Sequence, residues 1–120
     1  PLHNAFPECC VVKYAEKSWG SYTVIDMQPL SYTVRVNLKP GHQMKYHSHQ
    51  HREEVWTVVS GHGRVVLDDL MQEISAGSVI KIPAGCKHTV MADSDLHLIE
   101  VQIGKDISVA DKETYPLDRS

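Results

Sequence analysis

The sequence predicts an all-β fold, a sandwich or barrel of short antiparallel strands. Segments rich in β-branched and apolar residues alternate with turn residues at regular intervals along the chain, which is typical of such folds. No window between residues 20 and 104 shows a helical apolar period. A helix is therefore expected only near the ends, over residues 108–113.

The first three predicted strands are separated by turns that contain proline. They cover residues 22–25, 32–38 and 44–49. Pro29 precedes the second strand, and Pro40-Gly41 follows it. In that strand, apolar residues occupy alternate positions from Tyr32 to Leu38. This alternation predicts one face turned to the core and one face turned to solvent.

Six more strands are predicted, each bounded by turn residues. They cover residues 55–59, 64–67, 72–74, 79–82, 89–91 and 96–103. The turns between them are rich in Gly, Pro, Asp and Ser and fall at residues 61–63, 68–69, 76–77, 83–85 and 92–95. In the last strand, Leu98, Glu100 and Gln102 share a face. Its polar residues favour a face that looks at solvent, with a polar cavity as the alternative.

Length and composition narrow the class of protein. With 120 residues, 42% hydrophobic and 22% charged, the chain is expected to form one domain over 1–120 with a core at about 18–104. A net charge of −3 offers no basic excess for a nucleic-acid partner. No apolar run approaches the about 20 residues of a membrane helix, and no secretion signal is seen. Cys9, Cys10 and Cys86 are too few for a disulfide framework and predict reduced thiols in the cytoplasm.

Histidine is concentrated in one stretch, with four of the eight histidines between positions 42 and 51. His47 and His49 are two residues apart, so on a strand both side chains point to one face and can reach one ion. Glu54 follows after a turn, and His88 lies on a distant segment behind a Pro-x-Gly turn. This set suits one divalent transition metal ion (Zn, Mn, Fe, Co or Ni) and leaves coordination positions open for a substrate.

The same residues belong to two longer motifs. The first reads Gly41-x5-His47-x-His49-x4-Glu54-x6-Gly61, and the second reads Gly77-x5-Pro83-x-Gly85-x2-His88. They resemble the two motifs of the cupin superfamily at their full spacing. The resemblance implies a small antiparallel jelly-roll β-barrel with the metal inside. The glycines and the proline suit the turns between its strands.

A closer resemblance extends over residues 18–115. It is carried by Trp19-Gly20-Ser21-Tyr22, Lys39-Pro40-Gly41, His51-Arg52-x-Glu54-x-Trp56, Val58-Val59-Ser60-Gly61, Ile82-Pro83-x-Gly85 and Leu98-Ile99-Glu100-Val101-Gln102. These segments look like type II mannose-6-phosphate isomerase. In many members the cupin is the C-terminal part of a longer enzyme with a guanylyltransferase domain, whereas this chain looks like a stand-alone cupin. Many fused members have Gln where His47 stands, so this site is richer in nitrogen ligands.

The resemblance implies interconversion of mannose 6-phosphate and fructose 6-phosphate, with a proton moved between C2 and C1. Three residues are candidates for that proton transfer. They are Lys45, which lies two residues before His47, Glu100 and His51. Cupins that resemble this chain are commonly dimers, so a homodimer is also expected.

Three further residues are candidates for binding the substrate. Arg52 lies in the turn beside the expected metal ligands, and Lys87 precedes His88. Both are candidates for the phosphate, which guanidinium and ammonium groups bind. Trp56 has the same strand parity as Glu54, so its ring could form a wall against the sugar.

Two other functions fit the same residues. Three imidazoles and a carboxylate also suit an iron-dependent dioxygenase, and a metal cupin could bind a sugar without converting it. An isomerase of sugar phosphates predicts basic residues converging on the barrel mouth. A dioxygenase predicts a largely apolar pocket, and a binding module predicts affinity without proton exchange at C2.

Overall fold

The computed structural model describes residues 14–105, 107–108 and 110–117. Within these ranges the chain forms eleven strands and no helix. In chain order they are β1 (Tyr14–Lys17), β2 (Gly20–Gln28), β3 (Ser31–Leu38), β4 (Tyr46–Ser48), β5 (Glu53–Ser60), β6 (His62–Leu67), β7 (Leu70–Ser75), β8 (Val79–Ile82), β9 (His88–Ala92), β10 (Leu96–Ile103) and β11 (Glu113–Tyr115). The predicted all-β class is confirmed.

The strands form two antiparallel sheets. One has the order β1-β2-β3-β10-β5-β8, and the other has the order β11-β4-β9-β6-β7. β10 lies between β3 and β5, and β9 lies between β4 and β6. The chain therefore crosses repeatedly from one sheet to the other, which is the jelly-roll arrangement. The inner faces of the two sheets enclose the core.

Alternation along each strand decides which side chains enter the barrel. On β3, Val34, Val36 and Leu38 are buried while Arg35 between them is exposed, as the sequence predicts. The same alternation on β5 turns Trp56 inward, where only 1% of its surface is exposed. β3 and β5 thus contribute every second residue to the interior.

The inner face of β10 changes from apolar to polar along the strand. Leu96 and Leu98 are fully buried in the apolar core. Glu100 and Gln102 continue the same face into a cavity at the other end of the barrel. The prediction that this face looks at solvent is therefore wrong. β10 is a central strand, and alternation alone does not tell which of its two faces another sheet covers.

The two ends of the described chain also differ from the prediction. The expected helix over 108–113 is absent from the described residues of that segment, and Glu113 begins β11, which pairs with β4. β1 and β11 were not predicted. Both are short edge strands with mostly exposed side chains, so they lack the apolar alternation that marks the other strands.

Three sequence expectations concern the chain as a whole. The described residues contain no helix long and apolar enough to cross a membrane. Cys86 is a buried free thiol, while Cys9 and Cys10 lie outside the described residues. The organisation of residues 1–120 as one domain stays a prediction.

One turn glycine is required by a close backbone approach. Gly61 joins β5 to β6 with a φ of 89°, a conformation that L side chains rarely adopt. A Cβ added at Gly61 would collide with the carbonyl oxygen of Asp95. Gly77 has a similar φ of 92°, but a Cβ there would meet nothing within 4 Å. Comparing substitutions at these two glycines therefore distinguishes the cost of backbone strain from the cost of a steric collision.

We expect Gly61→Ala to destabilise the protein more than Gly77→Ala. Both substitutions introduce left-handed strain of about 1–2 kcal/mol. Only Gly61→Ala also forces the backbone at Asp95 to move, at a further cost of about 1–3 kcal/mol. Urea unfolding of both variants measures the difference, and equal losses of stability would contradict the proposed collision.

Candidate metal centre

Three imidazoles meet inside the barrel between the two sheets. His47 lies on β4, His49 lies just after it, and His88 begins β9 directly opposite His47. Their ligand atoms all lie within 4.8 Å of one another. The three residues are 7%, 5% and 1% exposed, respectively. The cluster is therefore compact, buried and able to hold one metal ion.

Each of these imidazoles is anchored through its Nδ1 atom by a backbone carbonyl oxygen. For His47, His49 and His88 in turn, the acceptors are the carbonyls of Lys45 at 2.6 Å, Asp111 at 2.6 Å and Cys86 at 3.0 Å. A neutral imidazole that donates from Nδ1 carries its lone pair on Nε2. The Nε2 atom of His88 is buried and has no hydrogen-bond partner among the described residues. Such anchored, lone-pair-bearing rings suit a transition metal ion.

Burial keeps the three imidazoles neutral. Desolvation, followed by the nearby His88 ring, lowers the pKa of His47 to about 3. Desolvation is also the main cause of the lowered pKa values of His49 and His88. Metal ligation requires the neutral form of histidine, so the protein environment favours the protonation state that binds an ion.

Glu54 lies beside this cluster but is engaged by two neighbours. Its Oε1 atom accepts a hydrogen bond from Nε1 of Trp56 at 2.8 Å, and its Oε2 atom accepts one from Nε of Arg52 at 2.9 Å. The same Oε2 lies 3.4 Å from Nε2 of His49. Glu54 is thus within reach of the metal position, and its role as the fourth ligand stays a prediction.

Arg52 also reaches one of the imidazoles directly. Its Nη2 atom lies 3.0 Å from Nε2 of His49 and donates to it. That Nε2 has a single lone pair, so it can serve either Arg52 or a metal ion. Metal binding at His49 would therefore release Nη2 of Arg52 to another acceptor.

A cavity of about 670 Å³ opens next to the imidazoles. Its lining includes His47, His49 and Glu54 together with Glu100 and Gln102 from β10. The remaining wall includes four aromatic side chains, those of Trp19, Tyr22, Tyr32 and Trp56. Sugar-sized ligands fit a cavity that combines apolar walls with a few polar groups.

Glu100 is the second buried carboxyl group of this cavity. It is 5% exposed, and its Oε2 atom has no hydrogen-bond partner among the described residues. Burial, reinforced by the negative charge of Glu54, raises the pKa of Glu100 well above its usual range. A carboxyl group with a raised pKa can both accept and return a proton near neutral pH.

Four cationic side chains line the cavity. They are Lys17, Lys45, Arg52 and Lys112. The three lysines are exposed to solvent and yet line the cavity, so they lie at its mouth. Reasoning from the sequence identified Lys45 and Arg52 but not the other two. Lys17 comes from β1 and Lys112 from the segment before β11, and neither segment carries a recognisable sequence signal.

Two of the predicted site residues lie elsewhere. His51 is exposed in the bend between β4 and β5 and does not line the cavity. Lys87 lies on the outside of the second sheet, with Nζ 3.6 Å from Oδ2 of Asp69 and 5.3 Å from the ring centre of Tyr115. Because Lys87 immediately precedes the inward-facing His88, its side chain takes the opposite direction. The expected roles of these two residues at the cavity are therefore not supported.

The segment around Asp111 supports the cluster from outside. Its carboxylate accepts hydrogen bonds from the backbone N–H groups of Gln50 and His51, both at 2.9 Å, while its carbonyl oxygen anchors His49. This contact joins the bend after β4 to the segment before β11. The sequence does not indicate it, since the two segments are far apart along the chain.

A jelly-roll barrel that holds a buried three-histidine cluster next to a polar cavity has the features of the cupin superfamily. Comparison with solved structures agrees on the fold. A variant of oxalate decarboxylase from Bacillus subtilis superposes with a TM-score of 0.76 at 18% identity, covering 85% of this chain and 30% of that one. PAC13 from Streptomyces, solved with uridine, superposes with a TM-score of 0.76 at 17% identity. The match covers 87% of this chain and 84% of PAC13.

Sequence comparison then gives the family. The model of the family described as "Mannose-6-phosphate isomerase C-terminal" matches residues 8–115, and the chain belongs to this family. The xanthan biosynthesis protein XanB of Xanthomonas campestris pv. campestris (strain B100) is 34% identical over 105 residues, which are 82% of this chain and 22% of that protein. The alginate biosynthesis protein AlgA of Pseudomonas aeruginosa is 32% identical, over 81% of this chain and 21% of AlgA.

Curated relatives of this kind are much longer than the matched region. The mannose-1-phosphate guanylyltransferase 2 of Escherichia coli O157:H7 is 31% identical over 82% of this chain, but this chain spans only 22% of that enzyme. The chain thus corresponds to about a fifth of these proteins. The predicted resemblance to the cupin part of mannose-6-phosphate isomerase is confirmed.

We expect His49→Ala and His88→Ala to abolish or strongly reduce metal binding. Each variant removes one of three convergent Nε2 ligands, whereas His42→Ala removes an exposed imidazole outside the cluster. Metal content after dialysis, and the rise in melting temperature on adding Zn²⁺ or Mn²⁺, measure the effect without reference to activity. Unchanged metal content and unchanged thermal shifts in both cluster variants would contradict the ligand assignment.

Proposed function

We propose that this protein is a metal-dependent aldose–ketose isomerase acting on a phosphorylated sugar, of the type that interconverts mannose 6-phosphate and fructose 6-phosphate. One observation carries the proposal. The buried carboxyl group of Glu100 lines the same cavity as His47 and His49 of the imidazole cluster, and the mouth of that cavity is cationic. Membership of the family described above supports the choice of substrate.

The reaction needs a group that removes a proton from one sugar carbon and returns it to the next. Glu100 is our candidate for this step, because it faces the cavity, is desolvated and has a raised pKa. Lys45 is the second candidate, since it lines the same cavity at the mouth. A divalent metal held by His47, His49 and His88 would stabilise the negative charge that develops on the sugar oxygens.

The other residues of the cavity would orient the sugar. Once Nη2 of Arg52 is released from His49, it can donate to a sugar or phosphate oxygen, while Nε remains bonded to Glu54. Trp56 is almost completely buried, and its N–H donates to Glu54. We therefore assign Trp56 the role of holding Glu54 in place, and assign the sugar wall to the less buried Trp19, Tyr22 and Tyr32.

The cationic mouth also bears on the competing functions. The cavity holds four cations and two carboxyl groups, which a largely apolar dioxygenase pocket would not require. A binding module would use the same cations, so proton exchange is what separates it from an isomerase. We further propose that the protein is located in the cytoplasm. Its proposed partners are a small phosphorylated sugar and a second copy of the chain.

We expect the metal-loaded protein to incorporate solvent deuterium into mannose 6-phosphate and fructose 6-phosphate at C2 or C1. Glu100→Gln should reduce this exchange by about 10²–10⁴-fold, because the amide cannot accept the proton. Glu73→Gln, on the exposed side of β7, is the matched control and should exchange normally.

Nuclear magnetic resonance of the recovered sugars measures the label. Metal content should be the same in both variants and the wild type. Absence of label with Zn²⁺, Mn²⁺, Fe²⁺, Co²⁺ and Ni²⁺ would overturn the isomerase proposal and favour a binding module. Full exchange by Glu100→Gln would instead show that another group moves the proton.

We also propose that the protein is a homodimer formed through the outer face of the first sheet. Val59 on β5, Val79 on β8 and Ile103 on β10 are 52%, 61% and 37% exposed on this face. The partly buried Ile99 and Val101 lie on the same face of β10 as Ile103. Contiguous apolar side chains on a sheet surface mark an interaction surface, and a second copy of the same face would cover them.

We expect Val79→Lys to convert the dimer into a monomer, because it places a charge among the exposed apolar side chains of that face. Leu70→Lys is the matched control, since Leu70 is 75% exposed on the other sheet. Light scattering during size-exclusion chromatography measures the mass. A monomeric wild-type protein, or a Val79→Lys variant that stays dimeric, would contradict this interface.

A further inference from the structure

We propose that Asp111 is a positioning residue for the metal ligand His49, and that docking of the segment around Asp111 is coupled to metal binding. We call residues 110–117, which end with β11 and the two residues after it, the C-terminal strap. The proposal rests on the metal centre and not on the reaction proposed above, so it applies both to an isomerase and to a module that only binds its ligand.

Asp111 contacts the site through two different groups. Its carbonyl oxygen accepts a hydrogen bond from Nδ1 of His49 at 2.6 Å. Its carboxylate accepts hydrogen bonds from the backbone N–H groups of Gln50 and His51, both at 2.9 Å. The three donors belong to consecutive residues. One residue of the strap therefore fixes both the ring of His49 and the backbone that follows it.

The strand that precedes His49 depends on the strap for most of its pairing. β4 has only three residues, and its register with β9 consists of the single pair His47 and His88. Its register with β11 covers all three residues. Short strands with few partners are marginally stable. The strap therefore completes the sheet at the edge where two of the three imidazoles are placed.

The other end of the strap is anchored on the outer face of the second sheet. The hydroxyl groups of Tyr115 and Ser48 form a hydrogen bond of 2.8 Å, and the ring of Tyr115 lies edge-on to Tyr46 at 6.2 Å between centroids. Leu117 packs against the apolar cluster that includes Tyr46. Because Ser48 lies between His47 and His49 in the sequence, both ends of the strap act on the same short stretch of chain.

These contacts couple the strap to the metal position. A docked strap holds the His49 ring in one direction, so an arriving ion meets a ligand that is already oriented. A bound ion would hold the same ring and thereby favour the docked strap, since coupling between two sites is reciprocal. Loss of a group that orients a metal-binding histidine typically costs about 10–100-fold in metal affinity.

Co²⁺ titration of the full chain, started from the metal-free protein, tests the positioning role. Asp111→Ala removes both carboxylate hydrogen bonds but leaves every imidazole in place, while Asp111→Asn keeps one acceptor oxygen. Asp95→Ala is the matched control, because it removes the same charge from an exposed position just before β10, outside the cavity. The d–d absorption of Co²⁺ reports both affinity and coordination geometry, and the melting temperature of each metal-free variant reports stability separately.

We expect Asp111→Ala to weaken Co²⁺ binding by about 10–100-fold, and Asp111→Asn to weaken it less. Asp95→Ala should match the wild type. At saturating Co²⁺ the absorption spectrum of Asp111→Ala should differ from that of the wild type, because the His49 ring is no longer held in one direction. If Asp111→Ala only lowers the melting temperature, with unchanged Co²⁺ affinity and spectrum, then Asp111 has a merely structural role and the proposal is wrong.

Amide hydrogen exchange tests the reciprocal effect. Adding Zn²⁺ to the wild type should slow exchange of the β11 amides by at least about tenfold, the lower end of the affinity loss expected for Asp111→Ala. β7 is the internal control, since it forms the opposite edge of the same sheet and should respond little. Exchange in β11 that does not respond to Zn²⁺ would contradict the coupling.

The outcomes separate this proposal from the proposed function. If Asp111→Ala loses metal affinity while the wild type adds no deuterium to the sugar, the positioning role is correct and the isomerase proposal fails. If deuterium exchange proceeds and Asp111→Ala binds metal as the wild type does, the isomerase proposal stands and the positioning role is wrong.

Discussion

The candidate site depends above all on three hydrogen bonds from histidine side chains to the protein backbone. The carbonyl oxygens of Lys45, Cys86 and Asp111 fix the Nδ1 atoms of the imidazoles. Those carbonyls belong to strands or to segments attached to strands, so they cannot rotate independently of the barrel. Each ring is consequently held in one tautomer and one direction, and the lone pairs converge. Without these acceptors the Nδ1 atoms of the same histidines would be buried polar atoms without hydrogen-bond partners, which proteins rarely tolerate.

The buried pair of Arg52 and Glu54 illustrates how the barrel accommodates charge near this cluster. Glu54 is 3% exposed and Arg52 is 10% exposed, with a 2.9 Å contact between Nε and Oε2. A carboxylate buried without a partner would be strongly destabilising. Arg52 compensates its charge, and the indole N–H of Trp56 satisfies its other oxygen. Both oxygens of the buried carboxyl group therefore have hydrogen-bond donors beside the three imidazoles.

Local spacing explains what could be predicted from the sequence. His47 and His49 share a face because strand geometry repeats every two residues, and the turn before Glu54 restores that residue to the inner side. The same rule places Lys87 outside, since it is adjacent to His88. The alternation along β10 was predicted as well, but not which of its two faces points into the barrel. Whether Glu100 meets solvent or a cavity depends on the opposing sheet, which periodicity along one strand does not contain.

Contacts between distant segments explain what the sequence did not reveal. Lys17 and Lys112 reach the cavity because β1 pairs with β2 and β11 pairs with β4. Both pairs involve short, exposed edge strands with little apolar signal. Asp111 supports the site through its backbone and its carboxylate together, a role that many polar residues in a turn could fill. Neither charge nor composition distinguishes these three residues from ordinary surface positions.

The inner face of β10 has a consequence for how this framework can change. Its first half, Leu96 and Leu98, belongs to a dry apolar core, while its second half, Glu100 and Gln102, borders the cavity. Stability and chemistry are thus assigned to opposite ends of the same strand. Substitutions at the cavity end remove few apolar contacts, so new ligand preferences can arise there without loss of the fold. A barrel divided in this way can diverge readily in evolution. Residues at the cavity end can change and alter which substrates bind, while the apolar end keeps the fold stable.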